Sequence, residues 1–135
     1  MVMSLHPSPL PPDAAEEPRD HCGVAACFGV PDAARVLHTA LFSLQHRGQE
    51  GAGMAVSDGT RLRYAHGMGL VSEIFPTDPH AVMPGTLGIG HVRYSTTGSS
   101  CAQNLQPLLA ECHDGTWAIA HNGNLVNARR LRALY

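Results

Sequence analysis

The chain has 135 residues and a formal net charge of −2 at pH 7, with a pI near 6.5, which permits one domain with a core of moderate size. This slightly negative net charge does not indicate binding to nucleic acid or to an anionic membrane. No apolar run reaches the roughly 18 residues of a membrane span, and with no secretion signal we expect a reducing, cytoplasmic location.

Residues 1–21 have the composition of a leader rather than of a folded segment. Five prolines, three of them in Pro9-Leu10-Pro11-Pro12, prevent a sustained helix or a central strand. The segment also lacks the positive cluster and the apolar stretch of a secretory signal. We therefore expect 1–21 to be a disordered leader or a removable propeptide, and 22–135 to form the domain.

The first half of the domain is predicted to contain a strand, a helix and a hairpin. Residues 22–29 form a short apolar run that fits a buried strand. A helix capped by Asp32 and ended by Gly48 should follow, and Asp58-Gly59 predicts a hairpin turn between strands 52–57 and 61–65. The predicted buried stripe of the helix comprises Ala33, Val36, Leu37, Ala40, Leu41 and Leu44.

The second half is predicted to add a loop at 76–84, a strand at 86–94 and a strand at 116–121 that turns at Asn122-Gly123. Asn127 should cap a last helix. The resulting order of strand, helix, hairpin, strand, hairpin and helix predicts an α+β fold with sheets and helices in separate layers. Because the last helix is too short to be stable alone, we expect the chain to be the front part of a larger domain.

Cys22 is the first candidate for chemistry, since it stands at the boundary between the leader and the first strand. If the leader is removed after His21, Cys22 carries a thiol and a free α-amine on the same residue. An α-amine has a pKa of roughly 7.7–8.0, so it can act as the general base for its own side chain. The alternative is a buried structural cysteine.

The segment 44–54 between the helix and the hairpin is the second candidate. Arg47 could supply positive charge close to a thiolate, with His46 beside it, or the segment could be only a polar helix end. Gly51 and Gly53 would allow a neighbouring backbone to approach closely.

Two further segments have the residue types of a substrate site. Arg93 ends a strand, shares its face with His91, and could bind a carboxylate in a bidentate way; alternatively it is a solvated strand-end arginine. The Asn122 amide and the Gly123 N–H could stabilise a developing oxyanion, although Asn-Gly is also a common hairpin turn.

Taken together, these segments resemble the glutaminase domain of the class II, or N-terminal-nucleophile, glutamine amidotransferases. The resemblance covers about residues 22–135. It rests on the segments 22–24 (CGV), 44–53 (LQHRGQEGAG), 67–72 (GMGLVS), 90–99 (GHVRYSTTGS), 104–107 (NLQP) and 121–125 (HNGNL). It implies an αββα four-layer sandwich of the N-terminal-nucleophile hydrolase type, with only its N-terminal part present.

The resemblance also implies roles for individual residues. Cys22 would be the nucleophile, and Asn122 with the Gly123 N–H would form the oxyanion hole. Arg93 would hold the α-carboxylate of glutamine, with Thr96 nearby. The supporting residues around the site would be His46, Arg47 and Tyr94.

A second domain is implied outside these 135 residues. There the ammonia would convert phosphoribosyl pyrophosphate to 5-phosphoribosylamine and diphosphate, the first step of purine synthesis. Mg²⁺, and in some members an iron–sulfur cluster, would belong to that domain, with no metal or cofactor in this chain. The whole enzyme would be a homo-oligomer without nucleic-acid or membrane partners.

Two other functions remain open at this stage. The chain could belong to a class II amidotransferase with a different acceptor domain, or it could be a non-catalytic binding module that keeps its leader. Because the family's acidic residue for the glutamine α-amine lies downstream of the segment 121–125, we expect the isolated chain to be inactive or weakly active.

Overall fold

The computed structural model describes residues 22–94, 102–123 and 127–134. The predicted leader and the candidate Thr96 lie outside these ranges. The strands are β1 (Gly23–Phe28), β2 (Gly51–Ser57), β3 (Leu62–Met68), β4 (Leu87–Arg93), β5 (Leu108–Cys112) and β6 (Gly115–Ile119). The α-helices are α1 (Ala33–Leu44), α2 (Val71–Ile74), α3 (Pro79–Val82) and α4 (Ala128–Arg132), and short 3₁₀ helices span Gln45–Arg47 and Ala102–Asn104.

The strands form two antiparallel sheets. The larger sheet has the order β1-β4-β2-β3, and β5 pairs with β6 in a separate two-stranded sheet. Helix α1 packs on one face of the larger sheet. On the other face, a cleft of about 430 Å³ separates Ala55 and Ile89 of the larger sheet from Trp117 of β6. Helix and sheet thus lie in layers, as the α+β prediction requires.

The core lies between α1 and the larger sheet. Leu37 and Leu41 of the helix are fully buried against Met54, Val56 and Val92. Removing this much apolar surface from water is the main driving force for joining the helix to the sheet.

The predicted helix stripe is correct at Ala33, Leu37 and Leu41, all of which are buried, but wrong at Val36, whose side chain is 46% exposed. Ala34 is buried instead, so the buried face of α1 includes Ala34 rather than Val36.

The two predicted boundary residues of α1 occupy their expected places but act differently. Asp32 is the N-cap residue, yet its side chain makes no capping hydrogen bond; it pairs with Arg35 and His80 instead. Gly48 has an extended backbone with φ −165° rather than the left-handed conformation of a helix-ending glycine. Its small size matters for packing, as described below.

Two segments differ from their predicted secondary structure. Residues 76–84 were predicted to be loop, but they contain the short helix α3. Asp78 is its N-cap residue, and the Asp78 carboxylate accepts a hydrogen bond from the His80 N–H. Strand β5 was not predicted, and β6 pairs with it across a turn in which Cys112 lies opposite Gly115. The other half of the predicted hairpin at Asn122-Gly123, residues 124–126, lies outside the described residues.

None of the described helices is long and apolar enough to cross a membrane.

Candidate active site

Cys22 lies at the end of the larger sheet where β4 finishes. Gly23 pairs with Val92, so Cys22 is level with Arg93 in the antiparallel register. The Cys22 thiol donates a hydrogen bond to the Tyr94 carbonyl, and the Tyr94 N–H donates one back to Sγ, both at 3.4 Å. Cys22 is half-buried and is not part of the apolar core. The fold therefore holds its thiol against the end of the strand that carries Arg93.

The backbone of Cys22 is held by Arg47. The Cys22 N–H donates to the Arg47 carbonyl at 2.9 Å, and Arg47 Nε donates to the Cys22 carbonyl at 2.9 Å. Cys22 has φ +56°, a left-handed conformation that is uncommon for a residue with a side chain and that occurs more often at functional sites. The structure thus brings Arg47 to the backbone of Cys22.

Gly48 allows this arrangement. It is buried, and a Cβ at this position would lie 2.7–2.8 Å from backbone atoms of Arg93, closer than real Cβ contacts. The turn Gln45–Arg47 can therefore lie directly against the end of β4. Only a glycine permits that approach, and the approach places Arg47 beside Cys22.

Arg93 is the last residue of β4 and is only 9% exposed. Its neighbour Val92 packs in the core against α1, so the Arg93 side chain points to the opposite face of the sheet. Nη1 donates to the Asn104 carbonyl at 3.0 Å, and Nε is buried without a hydrogen-bond partner among the described residues. A buried guanidinium with an unused donor is suited to binding a carboxylate.

The other supporting residues differ in how they meet the site. Tyr94 contacts the Cys22 thiol through its backbone. His46 does not reach Cys22: its Nδ1 lies 2.9 Å from the Ser43 carbonyl, so its ring is turned toward the end of α1. The candidate Thr96 lies outside the described residues.

Asn122 and Gly123 form an exposed bend two residues after β6 ends. Within the described part of the chain, neither makes a hydrogen bond to Cys22. The preceding residue is anchored, because the His121 N–H donates to Gln106 Oε1 at 2.7 Å. The predicted oxyanion residues therefore connect to the sheet through His121 and Gln106.

The segment Leu105, Gln106 and Pro107 belongs to the motif 104–107 that carries part of the resemblance, but no role at the site was predicted for it. All three residues are buried, and the Gln106 carbonyl lies where a Cβ of Gly53 would be. A Cβ at Gly51 would lie 2.5 Å from Leu105. The predicted close backbone approach at Gly53 is thus confirmed. Gly51 and Gly53 indicated that another segment of the chain comes close, and the fold identifies that segment as residues 105–107.

His91 is a second residue without a predicted role at the site. It is 1% exposed, lies two residues before Arg93 on the same strand face, and forms no regular hydrogen bond within the described residues. Burial, together with the smaller effects of the nearby charges of His121 and Arg93, lowers the pKa of His91 to about 4, while the His121 backbone acts in the opposite direction. His91 is therefore neutral at pH 7.

The described residues contain no group of three or more histidine, cysteine or acidic side chains that could hold a metal ion.

The comparisons with known proteins agree with this geometry. Residues 81–134 match the family model for class-II glutamine amidotransferases. A chloroplastic amidophosphoribosyltransferase of Glycine max is 49% identical over 121 residues, covering 90% of this chain and 21% of the relative. An amidophosphoribosyltransferase of Synechococcus elongatus is 48% identical over 118 residues, covering 87% of this chain and 24% of the relative.

Two solved structures are also similar. An allosteric regulatory enzyme of purine biosynthesis superposes with a TM-score of 0.76 at 44% identity. The glutamine phosphoribosylpyrophosphate amidotransferase of B. subtilis, complexed with ADP and GMP, superposes with a TM-score of 0.73 at 43% identity. Each match covers 82% of this chain and 24% of the other.

Residues 81–134 are thus similar in sequence to the class-II glutamine amidotransferases, and the chain is similar in fold to the two solved enzymes. This agrees with the expected N-terminal-nucleophile hydrolase class, to which the described residues contribute α1 and the two sheets. The particular relatives that the chain resembles are the amidophosphoribosyltransferases, and it spans about a fifth to a quarter of their length.

Proposed function

We propose that the chain carries the nucleophile and part of the glutamine pocket of an amidophosphoribosyltransferase. The observation that supports this most directly is the contact of the Cys22 thiol with the backbone of Tyr94. Because Arg93 immediately precedes Tyr94, the contact supports assigning the Cys22 thiol and the buried Arg93 guanidinium, which has an unused donor, to one site. A thiol next to a carboxylate-binding arginine suits a small amino-acid substrate such as glutamine.

The proposed reaction begins after residues 1–21 have been removed. The α-amine of Cys22 takes the thiol proton, and the thiolate attacks the carboxamide carbon of glutamine. The tetrahedral intermediate collapses, and the amine returns a proton to the leaving nitrogen, which departs as ammonia. Water then attacks the γ-glutamyl thioester, and glutamate leaves with the Cys22 thiol restored.

The remaining site residues would bind the substrate and the charge that develops on it. Arg93 would pair with the α-carboxylate of glutamine, with Thr96 close by. Asn122 and the N–H of Gly123 would donate to the oxyanion, an interaction typically worth several kcal/mol in such sites. Arg47 would hold the backbone of the nucleophile, and Tyr94 would border its thiol. We assign His46 no direct contact with the substrate.

The whole enzyme would use the ammonia in a second domain. There it would displace diphosphate from phosphoribosyl pyrophosphate to form 5-phosphoribosylamine, the first step of purine synthesis. That domain would bind Mg²⁺, and in some members of the family an iron–sulfur cluster. We further propose a homo-oligomer, located in the cytoplasm; the Glycine max relative is named as a chloroplast protein.

Covalent labelling tests the proposal. The protein is produced with its native partners, treated with a γ-diazoketone analogue of glutamine, and examined by intact and peptide mass spectrometry. We expect loss of residues 1–21 and one adduct on Cys22. The adduct should disappear in Cys22→Ala and persist in Cys27→Ser, since the Cys27 thiol bonds to the Ala33 carbonyl and burial raises its pKa.

The opposite result is an intact N-terminus with no adduct on Cys22. That outcome would support a non-catalytic binding module. A labelled whole protein that includes the second domain, but does not convert phosphoribosyl pyrophosphate with ammonia, would instead support a class II amidotransferase with a different acceptor.

A further inference from the structure

Gln106 connects two parts of the candidate site that are far apart in the sequence. Its side chain is buried, with 8% exposed, and its Oε1 accepts a 2.7 Å hydrogen bond from the His121 N–H. Its own backbone carbonyl lies directly against Gly53 in the middle of β2. Gln106 therefore joins the residue before Asn122 to the centre of the larger sheet.

His91 forms the neighbouring surface. It is paired with Gly53 in the register of β2 and β4, so the Gln106 backbone and the His91 ring lie side by side on the same face of the sheet. His91 also interacts with His121. The backbone of His121 is thus held by the Gln106 side chain on one side and contacted by a buried, uncharged ring on the other.

We propose that Gln106 is a positioning residue for the Asn122-Gly123 bend, acting through its hydrogen bond to the His121 N–H. This inference rests on the proposed function, in which the bend supplies the oxyanion hole.

The position of the bend demands such a support. Asn122 and Gly123 are exposed. Gly123 has φ +156°, and apart from its chain neighbours no atom of the described residues lies within 4 Å of the place of its Cβ, so packing among the described residues does not hold it. Donors of an oxyanion hole act only when they are held in place before the charge appears, and a displacement of about 1 Å can lower the rate by roughly 100-fold. The hydrogen bond from His121 supplies that restraint.

Three variants test the proposal. Gln106→Met keeps the length of the side chain and removes the acceptor, whereas Gln106→Glu keeps an acceptor oxygen. Gln103→Met makes the same change at an exposed glutamine in the preceding 3₁₀ helix and serves as the control. All three changes are made in the whole protein of which this chain is proposed to be a part, because the isolated chain is expected to be inactive or weakly active, and they are compared with the unaltered whole protein after removal of residues 1–21.

Amide hydrogen exchange gives a result that does not depend on activity. We expect the His121 amide to be protected in the unaltered protein and in Gln103→Met, to exchange at least 10-fold faster in Gln106→Met, and to regain protection in Gln106→Glu. Amides of β2 should exchange equally in all four proteins. An unprotected His121 amide in the unaltered protein, or unchanged exchange in Gln106→Met, would overturn the proposal.

Glutamate release provides the functional measurement. We expect Gln106→Met to lower kcat at least 10-fold while KM for glutamine changes less than threefold, with partial recovery in Gln106→Glu. A lower kcat that is accompanied by lower thermal stability, without faster exchange of the His121 amide, would indicate a structural role and contradict the proposal. If the unaltered protein releases no glutamate, the proposed function fails, and the exchange experiment alone decides whether Gln106 holds the bend.

Discussion

Cys22 and Arg47 are joined by two hydrogen bonds that run in opposite directions. The Cys22 N–H donates to the Arg47 carbonyl, and Arg47 Nε donates to the Cys22 carbonyl, each at 2.9 Å. One residue thus holds the nucleophile on both sides of its α-carbon. If the chain is cleaved after His21, as proposed, the backbone nitrogen of Cys22 becomes its α-amine. The Arg47 carbonyl, which accepts the hydrogen bond from this nitrogen, is then placed to orient the proposed general base.

Arg47→Ala should loosen this hold. It removes the Nε donor but keeps the backbone carbonyl, and the loss of one such hydrogen bond costs about 1 kcal/mol. We expect the rate of Cys22 labelling by the glutamine analogue to fall about 5- to 10-fold. Arg61→Ala, which changes an exposed arginine in the hairpin turn, is the control and should label normally. Equal labelling rates for both variants would refute a positioning role for Arg47.

Gly48→Ala should destabilise the fold. The added methyl group would meet the backbone of Arg93, which cannot move without disturbing β4, and overpacking of this kind typically costs about 1–3 kcal/mol. Urea unfolding measures the change. The neighbouring Gln49→Ala, at an exposed position, should differ from the unaltered protein by less than about 0.5 kcal/mol. A fully stable Gly48→Ala protein would show that the turn can move away from β4.

Arg93→Lys should weaken glutamine binding. Lysine keeps the charge but lacks the planar fork, and it cannot both donate to the Asn104 carbonyl and bind a carboxylate in a bidentate way. We expect KM for glutamine to rise roughly 10- to 100-fold, since hydrogen bonds to charged groups contribute about 1.5–3 kcal/mol, with a smaller effect on kcat. Steady-state kinetics measure both constants. An unchanged KM would exclude Arg93 as the carboxylate ligand.

His91 should make the fold sensitive to acid. Its pKa is about 4 in the fold against an ordinary value of 6.5, so between these pH values the unfolded chain binds a proton that the folded chain does not. Stability is therefore complete above pH 6.5 and falls as the pH is lowered toward 4, by at most about 3 kcal/mol.

The matched variant is His91→Asn, which removes this titration. Its free energy of unfolding, measured by urea at a series of pH values, should be lower at pH 7 but should decline less steeply between pH 6.5 and 4. The same steepness in both proteins would assign the acid sensitivity to other groups.

Most of the secondary structure could be predicted because it depends on local residue patterns. The hairpin at Asp58-Gly59 and the strand that ends at Arg93 follow from turn chemistry and apolar runs, and both are confirmed. Strand β5 was not predicted, although Asp114-Gly115 is a typical hairpin-turn pair and follows the apolar residues Leu108 and Leu109 in the sequence. Its residues are all exposed, so no alternating apolar pattern distinguished it from loop.

The sequence alone determined the candidate chemistry: a cysteine behind a proline-rich leader, an arginine at a strand end and an Asn-Gly pair, which predict a glutaminase through their resemblance to the class II glutamine amidotransferases. These are properties of residue types and short spacings. Only the tertiary structure decided which groups meet, because contacts across 25 to 72 residues, such as Arg47 with Cys22 and Cys22 with Tyr94, depend on strand order and register. The same reason explains why the contacts of Gln106 and His91 could be read only from the fold, although both residues lie in segments that carry the resemblance.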